Sequence, residues 1–212
     1  MRILIVAATK FEVESLKSKV ESKAIDYGLS TIDFLITGAG MVATSFALGK
    51  HLVTNQYDLA INLGIAGSFD RSIALGDVVE ITEDTLAELG AEDDDDFITI
   101  DQLGFGESSF KSTYSLPAQF NLRKTNAITV NTVHGNEASI YKLGSRINAQ
   151  IESMEGAAFF HACRQMGVPC MQIRAVSNYV EKRNRDAWQI GLAIKNLNTF
   201  AAELVNSEWL IG

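Results

Sequence analysis

The chain has 212 residues, a hydrophobic fraction of 47% and a formal net charge of −8; this suits one globular domain with a sizeable core. The acidic balance offers no basic face for phosphates, which excludes nucleic acid as a partner and argues against an anionic membrane surface. The N-terminal apolar stretch of about six residues gives way at once to a charged segment, unlike a signal peptide, and no apolar run approaches the ~20 residues of a membrane span. A cytoplasmic protein is expected. Its two cysteines, Cys163 and Cys170, read as buried thiols. His51, His134 and His161 are scattered without metal-ligand spacing, so no metal site is expected.

Residues 2–8 form an apolar, branched run that predicts a buried strand. Lys10 to Glu21 predicts a helix with Val13, Leu16 and Val20 on one face. Residues 32–37 predict a second strand ending at Gly38-Ala39-Gly40. A helix to about Val53 follows, with Val42, Phe46 and Ala47 spaced for its apolar face. A third strand is expected over 58–63, ending at Gly64, then a loop through Gly67 and Ser68. GDVVEIT opens another strand near Asp77. Residues 84–115 read as strand and loop, with the acidic run Glu92 to Asp96 as a solvated loop. A strand over 127–133, a helix from Glu152 to Met166 stopped by Gly167 and Pro169, and a strand over 170–176 come next. The last helix is expected from Asp186 to Val205, capped by Asn184 or Asp186. Strands alternating with helices, mostly apolar throughout, predict an α/β fold. The expected architecture is a three-layer single domain over residues 1–212, with a twisted, mostly parallel or mixed central sheet flanked by helices.

Ligands of such folds bind beyond the carboxyl ends of the strands. Small and polar residues gather there: Ala8, Thr9 and Glu12 after the first strand, Gly64, Ala66 and Gly67 after the third, and Ser177 and Asn178 after the last. Gly38 to Ala43 also fits the dinucleotide pattern G-x-G-x-x-A. The acidic residue that should close the following strand is missing, so no nicotinamide cofactor is expected.

Six stretches in order, AATKFEVESL (7–16), TGAGMVAT (37–44), NLGIAGS (62–68), LGDVVEI (75–81), ESMEGAAFFHAC (152–163) and IRAVSNYVEKRNRDAW (173–188), resemble the nucleoside phosphorylase/nucleosidase superfamily. The resemblance covers nearly the whole chain, weakest near 90–125. Within the superfamily it is nearest to the methylthioadenosine/S-adenosylhomocysteine nucleosidases and, closer still, to the futalosine hydrolase family. It implies a small-molecule nucleoside substrate, no cofactor and a homo-oligomer, dimer or higher.

The resemblance also implies roles. Glu12 would activate the attacking water. Met154 and Glu155, with Ser153 beside them, would hold the ribose, the carboxylate through charge-assisted bonds. Asn178 stands where the adenine-type enzymes carry aspartate. An asparagine offers an NH₂ donor to a 6-oxo group and a C=O acceptor to the N7–H of a departing base, which predicts a 6-oxopurine leaving group. No arginine occurs in Asn62-Leu63-Gly64, where phosphorylases hold phosphate, so water is the expected nucleophile. The futalosine hydrolase substrate is a hypoxanthine nucleoside with a carboxyphenyl group at its 5′ end, an intermediate of an alternative menaquinone pathway. Arg71, Arg183 and Arg185 are candidate partners for that carboxylate. Tyr179 and Phe105 are weighed as walls for the aromatic group against core packing, which is favoured. The alternatives are an adenine-type or aminodeoxyfutalosine nucleosidase, a purine nucleoside phosphorylase and a non-catalytic nucleoside-binding module.

Overall fold

In a computed structural model, which describes residues 1–27 and 32–207, the chain forms a mixed sheet between two pairs of helices. The ends of the predicted 1–212 span, residues 208–212, and the short segment 28–31 lie outside the described residues. Strand β1 (Ile3–Ala7) is fully buried; a 3-10 turn over Lys10–Glu12 leads into helix α1 (Glu14–Tyr27). Then come β2 (Ile32–Ile36), α2 (Met41–Leu52), β3 (Leu59–Ser68) and β4 (Val78–Leu86). The middle holds a hairpin of β5 (Gly90–Asp93) and β6 (Asp96–Thr99), then β7 (Ser109–Lys111), β8 (Arg123–Thr129) and α3 (Glu137–Gly144). The chain closes with β9 (Ile151–Ser153), α4 (Gly156–Gln165), β10 (Cys170–Tyr179) and α5 (Ile190–Val205).

Strand β3 organises the sheet. Its first half pairs in parallel with β1, its whole length in parallel with β10, and its last two residues antiparallel with β9. From β10 the sheet runs antiparallel to β4, which pairs in parallel with β8, and β8 in parallel with β9. The circuit β3–β10–β4–β8–β9 thus closes on β3, while β1 and β2 extend from it. Alternation along the strands splits the core. Leu4 and Val6 face α2 and α4, with Phe159 and Phe160; Ile3, Ile5 and Ala7 face α1 and α5, with Leu197 and Phe200.

Several predicted elements move. The expected loop at 64–68 is the second half of β3, and Ser177 to Tyr179 extend β10. Gly64 and Gly67 leave room on this strand for side chains that lie close to it, Arg174 and Glu12 at Gly64, Asn178 and Val180 at Gly67. The helix expected from Glu152 begins at Gly156; residues 151–153 are a short strand pairing β3 and β8. The strand expected over 127–133 stops at Thr129. The acidic run is a hairpin turning at Asp94, whose φ is 55°. The last helix starts at Ile190, preceded by a 3-10 turn at Arg185–Ala187, and neither Asn184 nor Asp186 caps it. On α2 the buried face is Thr44, Leu48 and Leu52, while Val42 and Phe46 are exposed. Spacing found a helical stripe there and assigned the wrong stripe to the core. Among the described residues no helix is long and apolar enough to cross a membrane.

Helix α4 approaches the sheet so closely that a Cβ at Gly156 would lie 2.0 Å from Asp84 Oδ2 and 2.3 Å from Gln172 Oε1. Gly156→Ala is expected to lower stability by about 1–3 kcal/mol or more, since a packed polar seam has nowhere to yield. Gly144→Ala, at the end of α3 with nothing within 4 Å, should be neutral or stabilising by up to ~1 kcal/mol. Thermal melts of the two variants against the parent check both.

Candidate active site

The carboxyl ends of β1, β3 and β10 converge with the start of β9–α4 on one cavity of about 620 Å³. Glu12, Ala66, Gly67, Ser153, Met154, Glu155, Ser177 and Asn178 all line it, as does Arg183 at the rim. Among the described residues, no cluster of metal-ligating side chains occurs.

Glu12 closes the turn after β1. Its Oε2 accepts hydrogen bonds from Thr9 N (2.7 Å) and Thr9 Oγ1 (3.0 Å), and its Oε1 from Ile65 N (3.3 Å). Burial pushes its carboxyl above the ordinary value, against the bonds from Thr9 and the pull of Arg174. A carboxylate held at fixed geometry with raised basicity is suited to accept a proton from water.

Gly64 does not touch ligand space; it makes room behind it. A Cβ there would sit 2.7 Å from Arg174 Nη1 and 3.3 Å from Glu12 Oε1. Arg174, fully buried on β10, donates through Nη2 to Asn62 Oδ1 and has Asp84, Glu155 and Glu12 as its charged neighbours. The absence of arginine from Asn62-Leu63-Gly64 therefore does not leave that spot uncharged, because β10 supplies the cation across the sheet. Sequence reasoning missed Arg174. The available signal was the pair of polar residues, Gln172 and Arg174, on one face of an otherwise apolar strand.

Glu155 sits at the N-cap position of α4, not in its first turn, and makes no side-chain cap. Its Oε1 instead accepts from Gly40 N (2.9 Å). Gly38 and Gly40 both have positive φ, 86° and 93°, a conformation that glycine adopts without strain. Their place in a dinucleotide-like pattern thus has a local cause: they turn the chain so that Gly40 N reaches Glu155. No described residue bonds its second oxygen, and Glu155 lines the cavity.

Asn178 lies at the end of β10 past a bulge, opposite Gly67. Its Oδ1 is 2.8 Å from Ser177 Oγ, and its Nδ2 donates to Tyr179 O at 3.1 Å. Gly67 is required beside it, since a Cβ would stand 3.2 Å from Asn178 Nδ2 and 2.8 Å from Val180 Cγ2.

The three candidate arginines separate. Arg183 lines the cavity, its guanidinium 5.0 Å from the centre of the Trp188 ring, which also lines it. Arg71 is outside, paired with Glu181 and stacked 4.2 Å over Tyr179. Arg185 is exposed and does not reach the cavity. Tyr179 bonds Ile73 O beneath Arg71, and Phe105 is 80% exposed on a turn, so neither walls the site and Phe105 is not core. Apolar Phe11, Val133, Ile190 and Ile194 line the mouth instead.

Behind the cavity, Asp84 accepts from Gln172 Nε2 (3.1 Å) and Thr129 Oγ1 (2.8 Å). Burial pushes its carboxyl up to about 6, against both bonds. The folded chain therefore holds a proton that an unfolded aspartate releases near pH 4. This group's contribution to stability is full below about pH 4 and is lost as pH rises through about 6, by up to roughly 3 kcal/mol. In Asp84→Asn that portion of the pH dependence should vanish. Melting temperatures of both proteins across this range check it; parallel curves would refute the assignment.

Comparison with known proteins gives the family and the fold. The chain is 36% identical over 157 residues to a futalosine hydrolase of Streptomyces coelicolor, covering 70% of this chain and 65% of that one. It is 26% identical over 215 residues to a futalosine hydrolase of Thermus thermophilus, covering 97% and 96%. The fold matches the crystal structure of the 5′-methylthioadenosine/S-adenosylhomocysteine nucleosidase of Helicobacter pylori in complex with butyl-thio-DADMe-Immucillin-A. That match has a TM-score of 0.81 at 16% identity and covers 97% and 98% of the chains. The model of the phosphorylase superfamily matches residues 2–207, which span every strand that feeds the cavity, and the chain belongs to that superfamily.

Proposed function

We propose that this chain hydrolyses the N-glycosidic bond of a 6-oxopurine nucleoside, with futalosine as substrate and hypoxanthine and dehypoxanthine futalosine as products. The observation that carries the reading is the meeting of Glu12, Glu155 and Asn178 on one cavity with an apolar mouth and Arg183 at its rim. The similarity to two futalosine hydrolases supports the choice of substrate.

In the proposed reaction the C1′–N9 bond breaks ahead of attack and the ribose gains positive character, which the anionic Glu155, bonded to the sugar hydroxyls, favours. Glu12 orients a water, takes its proton, and the oxygen joins C1′. The base takes a proton at N7 from solvent, since Asn178 has none to give, and leaves with the Asn178 amide paired to its 6-oxo and N7–H edge. Arg183, held over Trp188, pairs with the 5′ carboxylate while the apolar mouth takes the attached ring. A second copy of the chain over the exposed Val42 and Phe46 face of α2, making a dimer or larger homo-oligomer, belongs to this reading. So does a reducing cytoplasmic setting, which suits the two free, buried cysteines.

Glu12→Gln should cut turnover by roughly 10²- to 10⁴-fold while affinity for an unreactive analogue changes little; unchanged turnover would remove Glu12 from its role. Turnover that needs inorganic phosphate and yields a sugar 1-phosphate would replace hydrolysis by phosphorolysis. Asn178→Asp should move the ratio of kcat/KM for 6-amino over 6-oxo nucleosides upward by roughly tenfold or more. A parent enzyme that already releases adenine faster than hypoxanthine would overturn the leaving-group assignment.

A further inference from the structure

Across the sheet, Asn178 of β10 is in register with Gly67 of β3, and Gly67 with Glu152 of β9. Residues paired in this way project to the same side of a sheet. The middle member of the row has no side chain, the space its Cβ would take being held by Val180 Cγ2 and the Asn178 amide, and Asn178, Gly67 and Glu152 all line the cavity. Glu152 does not face ligand unaccompanied. It is 3% exposed and accepts from both His134 N (2.9 Å) and the His134 ring at Nδ1. His134 lines the same cavity, and no group among the described residues is hydrogen-bonded to its Nε2.

We propose that His134 is a second base-reading residue, its Nε2 accepting the N1–H of a 6-oxopurine whose adjoining O6/N7 edge is held by Asn178. The inference rests on the 6-oxopurine nucleosidase reading above. The chemistry follows from the Glu152 contact. A carboxylate accepting from Nδ1 fixes the neutral ring as the Nδ1–H tautomer and leaves Nε2 as a lone-pair acceptor. Hypoxanthine and guanine carry a hydrogen on N1, whereas adenine presents a lone pair there. An acceptor at this point thus pairs with the first two bases and opposes the third. Glu152 is a positioning residue: it sets which ring nitrogen carries the proton and holds the ring by two bonds, one to the side chain and one to the backbone.

The test is the ratio of kcat/KM for hypoxanthine-releasing and adenine-releasing nucleosides that share one 5′ group, measured for the parent, His134→Ala and Glu152→Gln, with folding checked by melting temperature. His134→Ala should lower kcat/KM for the 6-oxo substrate by roughly 10- to 100-fold, leave the 6-amino substrate within a few-fold, and so collapse the preference. Glu152→Gln should reduce the preference in the same direction, because the ring is then free to turn Nε2–H toward the base. Hypoxanthine and adenine binding by calorimetry supplies a second readout should turnover be too slow. Equal losses on both substrates, or a larger loss on the 6-amino one, would overturn the role of His134 while leaving the hydrolase reading intact. A parent enzyme that hydrolyses neither nucleoside would sink that underlying reading instead.

Discussion

A buried guanidinium holds this site together. Arg174 is fully enclosed, and Glu12, Glu155 and Asp84, from three separate elements, are its charged neighbours. Three carboxylates brought under one sheet end would repel each other and lose their hydration, at several kcal/mol per ion. One cation among them offsets much of that cost. It also ties the proposed water-activating group to the ribose-holding one, so that a shift of β10 would disturb both. Gly64 and Gly156 exist for the same reason: each leaves out a Cβ where the arginine, or the Asp84–Gln172 pair, must pass close to backbone.

The closed circuit of strands determines where the remaining groups fall. Because β3 pairs with β10 on one side and with β9 on the other, residues far apart in sequence line up across it. Asn178, Gly67 and Glu152 form one such row. Asn178, Gly67 and Glu152 line the cavity together with Glu12 and Glu155. The apolar mouth and Arg183 come from outside the sheet: Phe11 from the turn after β1, Val133 from the loop after β8, Ile190 and Ile194 from α5, and Arg183 from the segment between β10 and α5.

The proposed mechanism uses environments rather than unusual groups. Glu12 is made more basic by burial, and the Thr9 bonds that hold it limit that effect without reversing it. Glu155 keeps one oxygen for Gly40 N and one for ligand. Asn178 keeps a neutral donor–acceptor pair where the adenine-type enzymes carry an ionisable residue. Selectivity in such a site comes from matching donors to acceptors, since a mispaired buried polar group costs about 1–3 kcal/mol.

Sequence alone determined the alternation of apolar strands and helices, hence an α/β fold with its ligands at the strand ends. It also picked out Glu12, Met154, Glu155, Ser177 and Asn178, because these sit at strand ends in short motifs that resemble those of the nucleoside phosphorylase/nucleosidase superfamily. Periodicity and turn residues are local signals, and local signals suffice for elements and motifs. What they left undecided was every question of which residues meet. The stripe on α2 that faces the core, the strand character of residues 64–68, and which of Arg71, Arg183 and Arg185 lines the cavity depend on partners elsewhere in the chain. So do the burial of Arg174 beside Gly64 and the pairing of His134 with Glu152. Only the tertiary structure decided these, because the strand register across β9, β3 and β10 brings together groups about 20 to more than 100 residues apart, and burial and charge pairing follow from that register rather than from sequence neighbours.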